Sequence, residues 1–505
     1  MEFSFFSVVP PIIIIALVIV TRKIVLSLGV GIILSALILE NGHIVQALKK
    51  MLEAILQLFY SDGSWNSGNL YVLSFLLLLG ALTSLISSLG GNQAFGEWIG
   101  RRIRTKRGAQ LMTTTCGISL FPDDVFNMFA TSQITGPIID HAKVPRTKLA
   151  YMIHSTSDPT CVLCPLSSWG ANIIAILTGI FAVHQLTDSP LIAFMVIATT
   201  NFYAISTLLF VFSSATFDIN IGKMKNPIKA KTQALVSTSN KGSIWDLIIP
   251  ISFLIIGSVG AMIITGYLNS DSPTFMNIFS NCEVSLSLVI GASLATFVSL
   301  LLYIRQINTG KQSIKNIFTI LKQGLKTTLP AVEILLYAWV LSSFIGELET
   351  GSYLASIIDQ VTLPPSFLPL ILFILTGAMA FATGTSWGTF AIMLPIAAQI
   401  AIASDSTMMF FLMSAVLSGS LFGDHCSPVS DTTTVASAAA GCSQIEHVVT
   451  QLPYALICAA ITCISFFLLG ITGMRWVPYI FIILAIIALI FYFRKRENHT
   501  SEQQI

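Results

Sequence analysis

The chain has 505 residues, of which 54% are hydrophobic and only 10% are Asp, Glu, Lys or Arg, against about 25% charged in an ordinary soluble domain. That balance excludes a soluble globular enzyme, and a formal net charge of +2 leaves no basic surface to neutralise nucleic-acid phosphates. Apolar runs of about 20 residues, enough to cross a hydrocarbon layer roughly 30 Å thick, recur from end to end and predict an all-α polytopic membrane protein.

The first such run, ending before Arg22 and Lys23, follows no basic region and precedes no small-residue cleavage site, so it reads as a span and not a removed signal peptide. Predicted spans continue the series as 5–20, 24–40, 69–90, 109–121, 124–139, 149–184 and 190–214. They resume at 244–268, 282–304, 330–349, 366–383, 386–403, 407–440, 453–473 and 477–493, about 12–15 transmembrane segments in all. Segments 149–184 and 407–440 are too long for one straight crossing and polar in the middle, so each is expected to be a broken helix. The eight cysteines mostly lie in or beside apolar segments, where they act as small hydrophobes, and the lone C-x-x-C of Cys161 and Cys164 lacks zinc spacing.

Basic residues in short loops set the expected orientation. Arg101, Arg102, Arg104, Lys106 and Arg107 mark one cytoplasmic loop, Lys223, Lys225, Lys229, Lys231 and Lys241 a second, and Arg305, Lys311, Lys315, Lys322 and Lys326 a third. Arg494, Lys495 and Arg496 place the C-terminus inside a cell inner membrane, whereas 185–189, 269–281 and 350–365 carry no Lys or Arg and are expected outside. Lys49 and Lys50 run against this count, which puts 41–68 outside.

The chain also matches itself. Leu82–Gly91 aligns with Leu341–Thr350, Pro165–Ser168 with Pro428–Asp431, and Asp123–Asp124 with Ser386–Trp387. The loop after the first of these segments is basic and the loop after its partner is not, so two inverted repeats of about five segments, 69–214 and 330–473, are expected. Around them lie N-terminal transmembrane helices (1–68), linker helices and cytoplasmic loops (215–329) and a C-terminal helix and tail (474–505).

Intramembrane carboxylates are costly and therefore functional by default, and here they concentrate in Gly423–Thr434. Pro428 disturbs the helix and frees carbonyls; Ser427, Ser430 and Thr432 offer hydroxyl oxygens; Asp424 and Asp431 offer charge. The matching segment from His154 to Gly170 repeats the Pro-break with Asp158, Ser167 and Ser168, and two further interruptions hold Asp123–Asp124 and Thr385–Ser386. Asp123 and Asp124 fit N-capping as well as ion binding, and Glu333, after Pro330, fits a helix first turn. His425 fits a proton relay or a hydrogen bond to its neighbouring Asp.

At Gly423–Thr433, with Gly441, Ile445–Leu456, Thr383–Thr389 and Pro165–Trp169, the sequence resembles the NhaC-type sodium/proton antiporters of the ion-transporter superfamily, over most of 70–475. The resemblance implies secondary transport without an organic cofactor, Na+ and H+ being the ions carried. The same family includes exchangers of small carboxylates such as malate and lactate, and where it often has Asp this chain has His154.

The reading is therefore an antiporter that exchanges cytoplasmic Na+ for external protons at a site both occupy in competition. Its expected ligands are Asp424, Asp431, Ser427, Ser430, Thr432, Thr385, Ser386, Ser167, Asp158 and Asp124, with Na+ at Asp431, Asp424 and Ser430 and His425 as proton relay. A cation-coupled carboxylate exchanger is the alternative, with helix N-termini facing the anion. Partners are the lipid bilayer and small cations, with a homodimer left open. An enzyme is disfavoured: no H-E-x-x-H or phosphate-binding Gly-rich Lys loop occurs, and Ser420–Asp424 lacks the extra Gly of an aspartyl intramembrane protease.

Overall fold

The computed structural model describes residues 5–21, 23–61, 63–103, 105–225, 242–270, 272–348, 353, 364–428 and 430–502. Arg104, Lys229, Lys231, Lys241 and most of the predicted loop 350–365 lie outside them. The chain is helical almost throughout, with one two-stranded hairpin pairing Tyr60–Ser61 with Ser64–Trp65. The helices begin with α1 (Val9–Thr21), α2 (Ile24–Leu39), α3 (Ile44–Gln57), α4 (Ser67–Leu89) and α5 (Gly91–Gly100). Next come α6 (Lys106–Ser119), α7 (Asp124–His141), α8 (Arg146–Leu163), α9 (Ser168–Val183), α10 (Pro190–Thr199) and α11 (Phe202–Phe217). Then α12 (Trp245–Leu268), α13 (Phe275–Ser280), α14 (Val284–Asn308) and α15 (Ile314–Glu347) lead to α16 (Leu368–Thr383) and α17 (Ser386–Ser404). The series ends with α18 (Met409–Cys426), α19 (Asp431–Ala440), α20 (Gln444–Thr472) and α21 (Trp476–Glu502).

Among the described residues, 11 candidate spans are long and apolar enough to cross a membrane, and three shorter apolar helices accompany them. Both long segments are interrupted where a proline follows the last helical turn: α8 gives way to α9 across Cys164–Ser167, and α18 to α19 across Ser427–Ser430. The N-caps that restart the two helices, Ser167 and Ser430, stand 263 positions apart.

Several elements depart from the sequence reading. Segment 190–214 is two helices, because Asn201 turns back to accept the Ala204 N–H at 3.0 Å and starts α11 afresh. The predicted loop 41–68 contains α3, an amphipathic helix with Ile44, Val45, Leu48 and Leu52 exposed, and 91–100 forms α5. Helix α15 begins well before Pro330 and carries it internally, so Glu333 is exposed on a helix interior and not in a first turn.

Burial ranks the layers. The most apolar windows of Arg146–Val183, Ser386–Ser404 and Ser406–Cys426 are 78%, 83% and 72% buried, whereas that of Trp476–Lys495 is 17% buried, so the interrupted elements form the centre. Glycine lets the centre close. A Cβ on Gly423 would lie 2.2 Å from the Gly377 carbonyl oxygen, and one on Gly419 would lie 2.4 Å from that of Phe373, so α18 and α16 meet backbone to backbone along a G-x-x-x-G face. We expect Gly423→Ala to destabilise the folded protein by about 1–3 kcal/mol, read as earlier thermal unfolding in detergent. Gly260→Ala on α12, where an added Cβ meets nothing within 4 Å, should unfold with the wild type.

Candidate functional site

Four helix N-termini meet in the interior: those of α7, α9, α17 and α19. Each is closed by a side chain of its own, Asp123 accepting the Phe126 N–H, Ser167 that of Gly170, Thr385 that of Gly388 and Ser430 that of Thr433. The ends are tied to one another. The Ser168 N–H donates to the Pro122 carbonyl at 2.8 Å, the Ser168 hydroxyl donates to Asp123 Oδ2 at 3.1 Å, and the Trp169 and Trp387 rings lie 5.6 Å apart. Gly384 ends α16 at φ 73°, a left-handed conformation that glycine adopts without strain, and Thr385 can therefore begin α17 at once.

These ends border a cavity of about 1000 Å³ whose lining includes Asp123, Asp124, Ser168, Thr385, Asp431 and Thr432. Asp123 spends both carboxylate oxygens on the cap and on Ser168. Asp124 and Asp431 occupy the first turns of α7 and α19, where the helix dipole favours a negative charge. Asp431 is exposed to the cavity, while Asp124 is buried at its wall. Lys23 is the basic residue in the lining.

Behind Thr432 lies a second, fully buried group of polar residues. Asp424 accepts from Ser430 Oγ at 2.8 Å and from the Thr432 hydroxyl. His154 Nε2 lies 3.0 Å from Thr432 Oγ1, 3.3 Å from Asp158 Oδ2 and 3.9 Å from Asp424 Oδ2, so one imidazole nitrogen serves two carboxylates. On the other side of the ring, His154 Nδ1 lies 3.0 Å from His447 Nε2, and Gln451 Nε2 donates to it at 3.0 Å. His425 Nδ1 is 3.1 Å from the Tyr203 hydroxyl and its Nε2 is 3.7 Å from Asp158 Oδ2. Asp158 Oδ1 accepts from Ser157, whereas Asp158 Oδ2 and His425 Nε2 take no aligned hydrogen bond.

The structure thus divides the residues expected from sequence. Asp424, Ser430, Thr432, Asp158 and His425 gather in the buried group; Asp124, Asp431 and Thr385 line the cavity, and Thr432 belongs to both. Three hydroxyls face backbone instead. Ser167 donates to the Cys161 and Cys164 carbonyls, Ser427 to Phe381 and Ser386 to Ser420. Sequence reasoning named His154 only as a departure and passed over His447, Gln451 and Tyr203. The signal for two of them was present: His447 and Gln451 stand one turn apart on the apolar α20 and share a face.

The profile of the Na+/H+ antiporter family matches residues 160–471. An uncharacterized protein of Haemophilus influenzae is 40% identical over 98% of this chain and 96% of its own length. The malate-2H+/Na+-lactate antiporter of Bacillus subtilis is 31% identical over 38% of this chain and 39% of its own. Among solved structures, the YdaH transporter of Alcanivorax borkumensis superposes with a TM-score of 0.58 at 13% identity, covering 85% of this chain and 90% of that one, a likeness of fold.

Because the hydroxyls of Ser167 and Ser427 close helix ends, Ser167→Ala and Ser427→Ala should each cost about 1 kcal/mol of stability and leave the Na+ KM of the surviving folded protein unchanged. Thermal unfolding paired with transport kinetics checks this; a raised KM at wild-type stability would put those oxygens on the ion.

Proposed function

The chain belongs to the Na+/H+ antiporter family, and on that premise we propose that it is a secondary transporter in a cell inner membrane that exchanges cytoplasmic Na+ for external H+. One observation carries the reading: carboxylates at the first turns of two interior helices, Asp124 and Asp431, open on a cavity whose remaining wall is mostly hydroxyls and apolar side chains, with Asp123, Lys23, Gln133 and Gln323 among them. Hard oxygen donors suit a dehydrated alkali cation. Carboxylates held away from bulk water cost less when a cation or a proton neutralises their charge, so binding of one ion disfavours binding of the other.

Two interrupted helices, each packed on the hairpin before it, support alternating access by rocking of two inverted repeats. In that arrangement the loops at 101–107 and 305–315 and the C-terminus are cytoplasmic, and 269–281 is external. A second reading, exchange of small carboxylates, draws on the malate/lactate relative and on helix N-termini facing a cavity large enough for such an anion. Against it, three aspartates stand in the lining and its basic residue is Lys23.

Two outcomes follow. In proteoliposomes, a Na+ gradient should drive H+ movement, and apparent Na+ KM should rise near tenfold per pH unit on the acid side with Vmax held, because protonation leaves a shrinking fraction of sites free. Asp431→Asn should abolish exchange in a protein that still inserts, and a KM flat across two pH units would contradict competition. Single cysteines placed at Thr309 and Ser272 should label from opposite faces; labelling from one face would remove the proposed orientation.

A further inference from the structure

The antiport reading leaves open which carboxylates hold the proton and how the two ions sense each other. We propose that the two ions occupy separate compartments, Na+ in the cavity at Asp124 and Asp431, and H+ in the buried His154–Asp158–Asp424 group, coupled through the hydroxyl of Thr432. The proposal rests on the antiport reading and deepens it.

Donor chemistry separates the compartments. The cavity wall offers oxygens, which suit Na+; the buried group sets three imidazoles around two carboxylates, a combination that exchanges protons and that no alkali cation prefers. The groups facing His154 come from every element packed on it: Asp158 on α8, Asp424 and His425 on α18, His447 on α20, with Asp431 and Asp124 beyond Thr432 and Tyr203 behind His425. A proton taken up there is shared by the His154 imidazole and the two carboxylates that flank it, and it belongs to the group as a whole.

Thr432 is the shared wall. A hydroxyl has one hydrogen and two lone pairs. Here the hydrogen goes to Asp424, while His154 Nε2 at 3.0 Å and Ser430 Oγ at 2.9 Å crowd the remaining side of the oxygen. Gln451 donates to His154 Nδ1, which fixes that nitrogen as an acceptor and puts the ring hydrogen on Nε2, aimed at Thr432 and the carboxylates. A Na+ ion drawing on Thr432 Oγ1 from the cavity has to break the contact with His154 Nε2. Conversely, a proton added to the group strengthens that N–H donor and holds the lone pair. Each Na+ that binds therefore expels a proton from the buried group to solvent, and each returning proton expels Na+; only O–H and N–H bonds are made or broken.

The test uses the full-length protein in proteoliposomes, with radiolabelled Na+/Na+ counterflow to report the cation site and an internal pH dye to report coupling. Thr432→Val, which keeps the shape and removes the hydroxyl, should still catalyse counterflow, with Na+ KM raised about tenfold or less. Its KM should change less than about twofold per pH unit where the wild type changes near tenfold, and Na+ should no longer drive H+ movement. His154→Gln should show the same loss of pH dependence, and Thr432→Ser should restore it. A Thr432→Val or His154→Gln protein with the wild-type pH slope would overturn the proposal and return the proton to the cavity carboxylates. So would loss of counterflow in both variants at wild-type melting temperature, since the sites would then be one. If Thr432→Val does not fold, His154→Gln decides alone. Failure of the antiport reading looks different: the wild type itself then moves no H+ in response to Na+.

Discussion

A helix interrupted inside a hydrocarbon layer exposes backbone N–H and C=O groups that no water can meet, and each one left alone costs several kcal/mol. This chain places four helix starts in its interior, and everything at its centre follows from having to satisfy them. The caps are internal: Asp123, Ser167, Thr385 and Ser430 each turn a side-chain oxygen onto the first turn of their own helix. The freed carbonyls are met in the same way. The Cys161 and Cys164 carbonyls take the Ser167 hydroxyl, the Phe381 carbonyl takes Ser427, and the Ala439 and Ala440 carbonyls at the end of α19 take Ser132 and Arg146.

That solution fixes where charge can go. A first helical turn stabilises a carboxylate and the ends converge, so Asp124 and Asp431 share one cavity, although 307 positions separate them in the chain. The close approach of α16 and α18 at Gly377, Gly419 and Gly423 brings α18 against the hairpin before it and sets Asp424 and His425 opposite α8. Burying two aspartates and three histidines there is tolerable because each aspartate faces an imidazole and His447 meets the ring of His154, and isolated charges in that position are not.

How much of this was legible in the sequence depended on the range of the interaction. The breaks at Pro165 and Pro428 are local and were read from the sequence, whereas Ser167 and Ser430, expected there as ion ligands, cap the helices that restart after the breaks. The resemblance identified the family for the same reason, since its motif is one continuous stretch around Asp424 and Asp431. Helix α3 was missed because an amphipathic helix lies below any transmembrane threshold of apolarity, and the early start of α15 because Pro330 reads as a beginning when it lies inside a continuous helix. The partners of His154 were invisible for a different reason. His447 and Thr432 lie nearly 300 positions away, and which imidazole meets which carboxylate is decided by how α8, α18, α19 and α20 cross.

The choice between a cation and an anion in the cavity turns on which charged groups stand in its wall and where. Each helix N-terminus acts as roughly half a positive charge, so four of them supply about two. The three aspartates in the lining supply three negative charges when ionised, and Lys23 adds one positive charge to those of the helix ends, so the wall is close to neutral with the aspartates charged. Net charge alone therefore favours neither cargo: Asp124 and Asp431 give a cation direct oxygen donors, whereas an anion would have to be held by the helix ends and Lys23 beside those carboxylates in a medium that screens poorly. An anion becomes acceptable only once protons or cations have discharged the aspartates, as a coupled carboxylate exchanger would require. The same four helix ends suit either cargo, so the charge that stands beside them, more than the shape of the cavity, separates the two readings.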